Sequence, residues 1–240
     1  MPKHGKKYVN ALNMLEPNKV YSPREALQLV KQMHYVNFDE TVEVHMRTGL
    51  DPRQADQQIR DVVVLPNGLG KQVRVLVFAQ GQAATDAREA GADFVAETDE
   101  EINRVAQGYT DFDVAVGTVD MMGKVGRLGR VLGPRNLMPN PKAGTVVQPA
   151  DIVQAIHNAK AGRVEFRLDK SANIHVALGK VSFSADALEE NMAALMTAVR
   201  KARPTGAKGN FVRKVTVAST MGPGVKVDPN DAIAMEAKQI

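Results

Sequence analysis

The chain has 240 residues, no cysteine, 44% hydrophobic and 24% charged side chains, and a formal net charge of +4. Such a length carries one large or two medium domains with real cores, and the composition is that of a soluble globular protein. The lack of cysteine excludes disulfides and thiolate metal sites and fits a cytoplasmic location. No run of about 18 apolar residues is present to span a membrane, and the basic stretch MPKHGKKYVNALNML lacks the apolar core of a signal peptide. Residues 1–67 carry 9 basic and 8 acidic side chains, residues 68–159 carry 9 and 11, and residues 160–240 carry 13 and 8. The positive excess therefore lies in the outer segments. A basic surface favours a polyanion, nucleic acid being the commonest, although a solvated basic face accounts for such an excess equally well.

Lys3, Lys6 and Lys7 open a first helix expected to run through Leu15. Ser22-Pro23-Arg24-Glu25 reads as an N-cap, a proline at the first helical position and a capping-box glutamate, starting a helix to about Met33. From Thr41 to Arg47 the residues alternate: Val42, Val44 and Met46 face one way, Thr41, Glu43, His45 and Arg47 the other. That is a half-buried strand with a polar face. Asp61 to Leu65 reads as a short buried strand ended by Pro66-Asn67-Gly68.

The pattern then changes. Val73 to Ala79 is a nearly continuous apolar strand, followed by a helix (83–90), a strand (92–96), a helix (99–107), a strand (113–118) and, after a glycine-rich stretch, a helix (149–159). Apolar strands alternating with helices indicate a mostly parallel sheet covered on both faces, a small Rossmann-like domain. From Arg163 the alternation of Val164, Phe166 and Leu168, then of Ile174, Val176 and Leu178, returns to the antiparallel style. A helix over 185–203 carries Leu188, Met192, Leu195 and Val199 on one stripe, Val215 and Val217 mark a last core strand, and the tail after Pro229 is expected to fray. The fold class expected is α/β (α+β) in two domains: a split antiparallel α+β domain, 1–66 with 160–240, and an inserted Rossmann-like three-layer α/β domain, 67–159. Glycine at both junctions would let them hinge, and the pattern alone also allows three modules in a line.

Met121 to Thr145 holds five glycines, three prolines and the cations Lys124, Arg127, Arg130, Arg135 and Lys142, with no acid between Asp120 and Asp151. Glycines permit close backbone approach and unopposed cations suit phosphate, so the stretch invites a functional reading. The chemistry behind it fails one test after another. There is no P-loop run, no G-x-G-x-x-G after the Val73 strand, no HExxH among five histidines and no G-x-S-x-G elbow. These absences argue against an enzyme and imply no cofactor and no metal. With 11 Tyr and Phe and no Trp, a platform stacking several bases is not expected, so any RNA would be held by folded shape, backbone and 2′-hydroxyl contacts. Phe38, in the polar setting Asn37-Phe38-Asp39-Glu40, is the exception, with a core position as the commoner reading of such a residue.

The motifs MPKHGKKY, FDETVEVH from Phe38, LPNGLGKQVRV from Leu65, GRVLGPRNLMPNPKAGTV from Gly129, NAKAGRVEFR from Asn158, IHVALGKVSF from Ile174, GAKGNFV from Gly206 and STMGPGVKV from Ser219 span nearly the whole chain. In that order they resemble the L-one family of bacterial large-subunit ribosomal proteins, which sits in the mobile ribosomal stalk near the tRNA exit site. The resemblance implies a split first domain with a Rossmann-like insertion. It also implies a monomer within the cytoplasmic ribosome, partnered with large-subunit ribosomal RNA and exit-site tRNA. The implied roles are binding a folded RNA site, helping deacylated tRNA leave, and repressing translation of the protein's own operon messenger.

Carried over by position, the resemblance implies that Phe38, Thr41 and Glu43 form one part of the RNA surface and Ser219, Thr220, Met221 and Gly222 the other. Arg167, Asp169 and Lys170 flank it, with Lys170 foremost as a phosphate contact. Lys124, Arg127, Arg130 and Lys142 are expected as secondary contacts to RNA or tRNA. Four positions depart from the family pattern: Asn37 stands for lysine, Leu168 for asparagine, Asn136 for glycine and Ser219 for threonine. Asn136 tolerates a positive φ better than most residues, so the loop that holds it should keep its shape.

Overall fold

Local chemistry alone starts the helix at Pro23: the Ser22 hydroxyl accepts from the Glu25 amide, and the Glu25 carboxylate accepts from the Ser22 amide. The computed structural model describes residues 4–141, 143–207 and 209–237; Lys3 and Lys142 lie outside the described residues. In chain order the elements are α1 (Lys6–Leu12), α2 (Pro23–Gln32), β1 (Thr41–Thr48), β2 (Arg60–Val64), β3 (Val75–Phe78), α3 (Gln82–Glu89), β4 (Phe94–Ala96), α4 (Asp99–Ala106) and β5 (Val114–Thr118). Then come α5 (Met122–Val125), α6 (Gly129–Leu132), β6 (Val146–Val147), α7 (Ile152–Lys160), β7 (Arg163–Arg167), β8 (Asn173–Lys180), α8 (Ala185–Lys201), β9 (Val212–Ser219), β10 (Val225–Val227) and α9 (Pro229–Ala234). Among the described residues no helix is long and apolar enough to cross a membrane.

The chain divides into two compact units, one made of the segments up to Gly70 and from Val164 onward, the other Lys71–Arg163. In the split unit an antiparallel sheet runs in the order β10-β9-β1-β8, and β2 pairs with β7 in a separate ribbon. Val42, Val44 and Met46 of β1, with Val215, Val217, Ile174, Val176 and Leu178 from the neighbouring strands, point into a core closed by Leu27 and Val30 of α2 and Leu188, Met192 and Leu195 of α8. Each such side chain, fully removed from water, contributes about 1.5–3 kcal/mol before the entropy of ordering it is set against that gain. Asn191, the polar residue of α8 inside this core, is satisfied: its amide nitrogen donates to the Gly68 and Leu178 carbonyls, and its oxygen accepts from the Asn67 amide.

The inserted unit has a parallel sheet in the order β4-β3-β5-β6. Strand β3 explains why its sequence is apolar without alternation. Val75 and Val77 enter one core with α3 and α7, while Leu76 and Phe78 enter a second core on the opposite face. That second core is closed by α4, which Thr98 starts with its own capping box, and by the glycine-rich stretch.

Several expectations are corrected. The glycine-rich stretch, expected from the family resemblance as a structured loop-and-helix edge, winds through short 3₁₀ and α turns, and Met121, Val125, Leu128 and Leu132 form a buried stripe at helical spacing. Gly126, Gly129 and Gly133 sit at φ −52, −55 and −58, ordinary helical values, so their freedom is not spent on a ligand. The first helix ends at Leu12, because Pro17 disfavours a helical Glu16 and the last turn tightens into 3.2 and 3.1 Å bonds from Met14 to Ala11 and from Leu15 to Leu12. Strand β2 is only half buried; Val63 and Leu65 face the core and Val64 is exposed, since the two-stranded ribbon covers one side alone. Strand β4 starts at Phe94, because Gly91 at φ +84 turns the chain and the Ala92 amide is used to close α3 at the Ala87 carbonyl. The tail does not fray at Pro229: Asp228 accepts from the Asn230 amide, and α9 buries Ala232. Asn136 does take a positive φ, +57.

Candidate nucleic-acid interface

Strand β1 is central in its sheet, so the polar residues on its outer face have cross-strand neighbours on both sides. Glu43 lies opposite Ala218 and Ala177, His45 opposite Thr216 and His175, and Arg47 opposite Lys214 and Asn173. Lys226 of the edge strand β10 stands beside Thr216. The result is an open polar face about 20 Å long, given roughly 3.3 Å per strand residue.

One end of that face is a tight assembly of the two candidate segments. The Thr220 amide donates to the Thr41 carbonyl at 3.1 Å, and the Thr41 amide donates to Thr220 Oγ1 at 3.1 Å. The next amide, that of Met221, donates to Glu40 Oε1 at 2.7 Å, and Tyr35 donates its hydroxyl proton to the Met221 carbonyl at 2.7 Å. Both backbone groups of Met221 are therefore used within the protein, and its thioether side chain is left half exposed. Glu40 is fully buried, with His34 Nδ1 against its other carboxylate oxygen. Phe38 is 52% exposed beside this assembly, which overturns the core reading and leaves an aromatic surface available for stacking. Asp39 next to it accepts from the amide and hydroxyl of Ser182, and those bonds, the hydroxyl's foremost, hold its carboxyl below the usual range.

Ser219 ends β9 and is buried, and its Oγ has no hydrogen-bond partner among the described residues. A Cβ on Gly222 would come within 2.5 Å of that oxygen, so the loop closes only because residue 222 has no side chain.

Along the middle of the face a contact chain joins two of the named carboxylates. Glu43 Oε2 lies 3.8 Å from His45 Nε2, His45 Nδ1 lies 2.9 Å from His175 Nδ1, and His175 Nε2 lies 3.5 Å from Asp169 Oδ2. Partial burial lowers the His45 pKa, the neighbouring His175 lowers it further, and Glu43 acts the other way. Asp169 is foremost a turn-former: its Oδ1 accepts from the amides of Ser171 and Asn173. Burial opposes its ionisation, but those amides, the Asn173 side chain and His175 outweigh burial and depress its pKa. The turn presents Lys170 to solvent, and Arg167 is exposed on β7.

The structure thus brings Phe38, Thr41, Glu43, Asp169, Thr220, Met221 and Gly222 onto one unit, with Thr41 and Thr220 bonded directly to each other. Lys124, Arg127 and Arg130 lie in the other unit, where Lys124 is paired with Asp99 at 2.8 Å and both arginines are exposed. Sequence reasoning missed Glu40, which reads as one more surface acid in a polar run. It also passed over Lys180, whose Nζ donates to Thr41 Oγ1 at 3.0 Å. The His45–His175 pair was half visible, since the alternation had already placed His45 on the polar face.

Residues 30–223 match the ribosomal protein L1p/L10e family. The chain belongs to that family. It is a family of structural ribosomal proteins and not of enzymes. The chain is 60% identical over 229 residues to large ribosomal subunit protein uL1 of Chloroflexus aggregans, covering 95% of this chain and 96% of that protein. It is 58% identical over 238 residues to the protein of the same name from Chloroflexus aurantiacus, covering 99% and 100%. With that of Lactobacillus delbrueckii subsp. bulgaricus it shares 54% over 229 residues, covering 95% and 98%. Every candidate residue, from Phe38 to Gly222, falls inside the matched range.

Proposed function

We propose that the open face of the split unit binds a folded site in large-subunit ribosomal RNA. By its family the chain is a structural constituent of the large ribosomal subunit. The observation that carries the RNA reading is the direct bonding of Thr41 to Thr220, which joins two candidate segments that lie 179 residues apart in sequence. Thr220 offers a hydroxyl to backbone or 2′-oxygen, Met221 an adaptable apolar surface, Phe38 a ring face, and Lys170 and Lys180 charge for phosphate. A site of this kind reads folded shape more than base sequence.

From the same family resemblance we also propose that the protein assists release of deacylated tRNA from the exit site and represses its own operon messenger through a mimic of the ribosomal site. The exposed Arg127 and Arg130 of the inserted unit, together with Lys124, are the residues we assign to secondary RNA or tRNA contacts. The protein then works in the cytoplasm, where the bacterial ribosome is. The test is a chemical footprint of the protein on a folded transcript of the large-subunit stalk region, with duplex DNA as competitor. Protection confined to the folded transcript is expected, and equal competition by duplex DNA would defeat the reading.

A further inference from the structure

The Glu43–His45–His175–Asp169 chain has a proton deficit built into it. A hydrogen bond between two Nδ1 atoms at 2.9 Å requires one ring to donate and the other to accept. Between them two neutral imidazoles hold two protons for four nitrogens. With one proton between the Nδ1 atoms, the second goes to the Nε2 of the accepting ring. The donating ring is left with a bare Nε2 facing a carboxylate, whichever ring it is. The shorter separation, 3.5 Å to Asp169 against 3.8 Å to Glu43, puts the Nε2 proton on His175. His45 Nε2 is then the bare nitrogen, lone pair toward Glu43.

We propose that His45 and His175 belong to the RNA-contact surface and that His45 Nε2 takes up one proton when RNA binds. The inference rests on the RNA-binding reading of this face. Proton entry there leaves the Nδ1 bond intact, turns the 3.8 Å approach of a lone pair to Glu43 into an ion pair, and adds positive charge where phosphates approach. The groups that face His45 are Glu43 and Arg47 along β1, His175 and Asn173 on β8, Asp169 in the turn before β8, Thr216 and Lys214 on β9, and Lys226 on β10. In the free protein Arg47, Lys214 and Lys226 work against uptake, as burial does, while Glu43 and Asp169 favour it. A polyanion laid over the face cancels the effect of the cations and raises the His45 pKa. By linkage, a proton taken up on binding makes binding tighter as pH falls.

The experiment measures affinity of the full chain for a folded transcript of the large-subunit stalk region between pH 6 and 8, at constant ionic strength, for wild type and His45→Gln. A glutamine keeps a donor for His175 but cannot take up a proton, and comparing the two proteins cancels any titration of the RNA or of His34. Wild-type affinity should rise by about threefold to tenfold from pH 8 to pH 6, within the limit of tenfold per unit for one proton. His45→Gln should lose most of that rise, its own affinity changing by less than about twofold between pH 8 and pH 6. The proton NMR titration of His45 should shift to higher pH on adding the transcript. A His45→Gln slope equal to wild type, or a His45 midpoint unmoved by RNA, overturns the proposal. No binding by either protein at any pH would instead remove the RNA reading beneath it.

Discussion

Glu40 and Met221, 181 residues apart in sequence, share a 2.7 Å hydrogen bond in which the buried carboxylate accepts the loop amide. An acid with 0% exposure is costly unless its oxygens are bonded, and here one holds the Met221 loop while the other holds His34. Glu40→Ala should therefore destabilise the protein by about 1–3 kcal/mol, by taking away the acceptor of the part-buried Met221 amide, and should weaken binding to the stalk transcript by about tenfold or more. Glu40→Gln, which keeps an acceptor for Met221, should recover most of the affinity. Thermal denaturation together with filter binding checks this; equal losses in the two variants would mean that the bond does not position the loop.

Gly222 and Ser219 form the second coupled pair. Gly222→Val should cost more RNA affinity than Arg130→Ala, which removes one exposed, screened charge in the other unit. A Cβ at 222 meets the unpartnered Ser219 Oγ at 2.5 Å, so Ser219→Ala removes the atom it strikes. Ser219→Ala alone should leave the melting temperature unchanged or raise it, since the buried hydroxyl makes no bond. Combined with Gly222→Ala it should restore stability, with a coupling of about 0.5–3 kcal/mol. Simple additivity in the double-mutant cycle would contradict the geometry.

The split unit should fold and bind alone. Its core is drawn entirely from its own two segments, and it carries both segments proposed to bind RNA. Residues 1–70 joined to 164–240 by a short linker should give a cooperative melt and bind the stalk transcript within about threefold of the full chain. The logarithm of affinity should fall with the logarithm of salt at about −0.7 to −0.9 per phosphate contacted. A folded protein of this kind with most of its affinity gone would assign the main surface elsewhere, and a flat salt response would contradict phosphate contacts.

Acid should weaken the β7–β8 turn in a defined direction. Asp169 has a folded pKa below its ordinary value, so its contribution is present above its unfolded pKa of about 3.9 and is lost as pH falls through the folded value. Asp169→Asn should therefore melt below wild type at pH 7, and the gap should close as pH drops below about 4. A gap that persists unchanged at pH 2.5 would mean that the turn does not depend on the ionised carboxylate.

Much of this was legible in the residues alone. The capping box at Ser22 and the polar-apolar alternation of Thr41 to Arg47 are signals carried by neighbours in sequence, and both stand in the structure. The unbroken apolar run of β3 announced a strand buried on both faces for the same local reason. The long motifs identified the family before any coordinate. What the residues could not announce depended on partners far along the chain. Glu40 is buried because Met221 and His34 satisfy it, and nothing in Phe38-Asp39-Glu40 distinguishes it from its exposed neighbours. Phe38 is exposed because no element of its unit covers it. Glycine is a poor helix former, yet residues 121–133 take helical turns because tertiary packing of Met121, Val125, Leu128 and Leu132 against β3 and α4 outweighs that propensity. Propensity and alternation are properties of a few adjacent residues and can be read from the chain; burial and pairing arise only when segments far apart in sequence meet, such as Glu40 and Met221, 181 residues apart, and only the folded structure decides those.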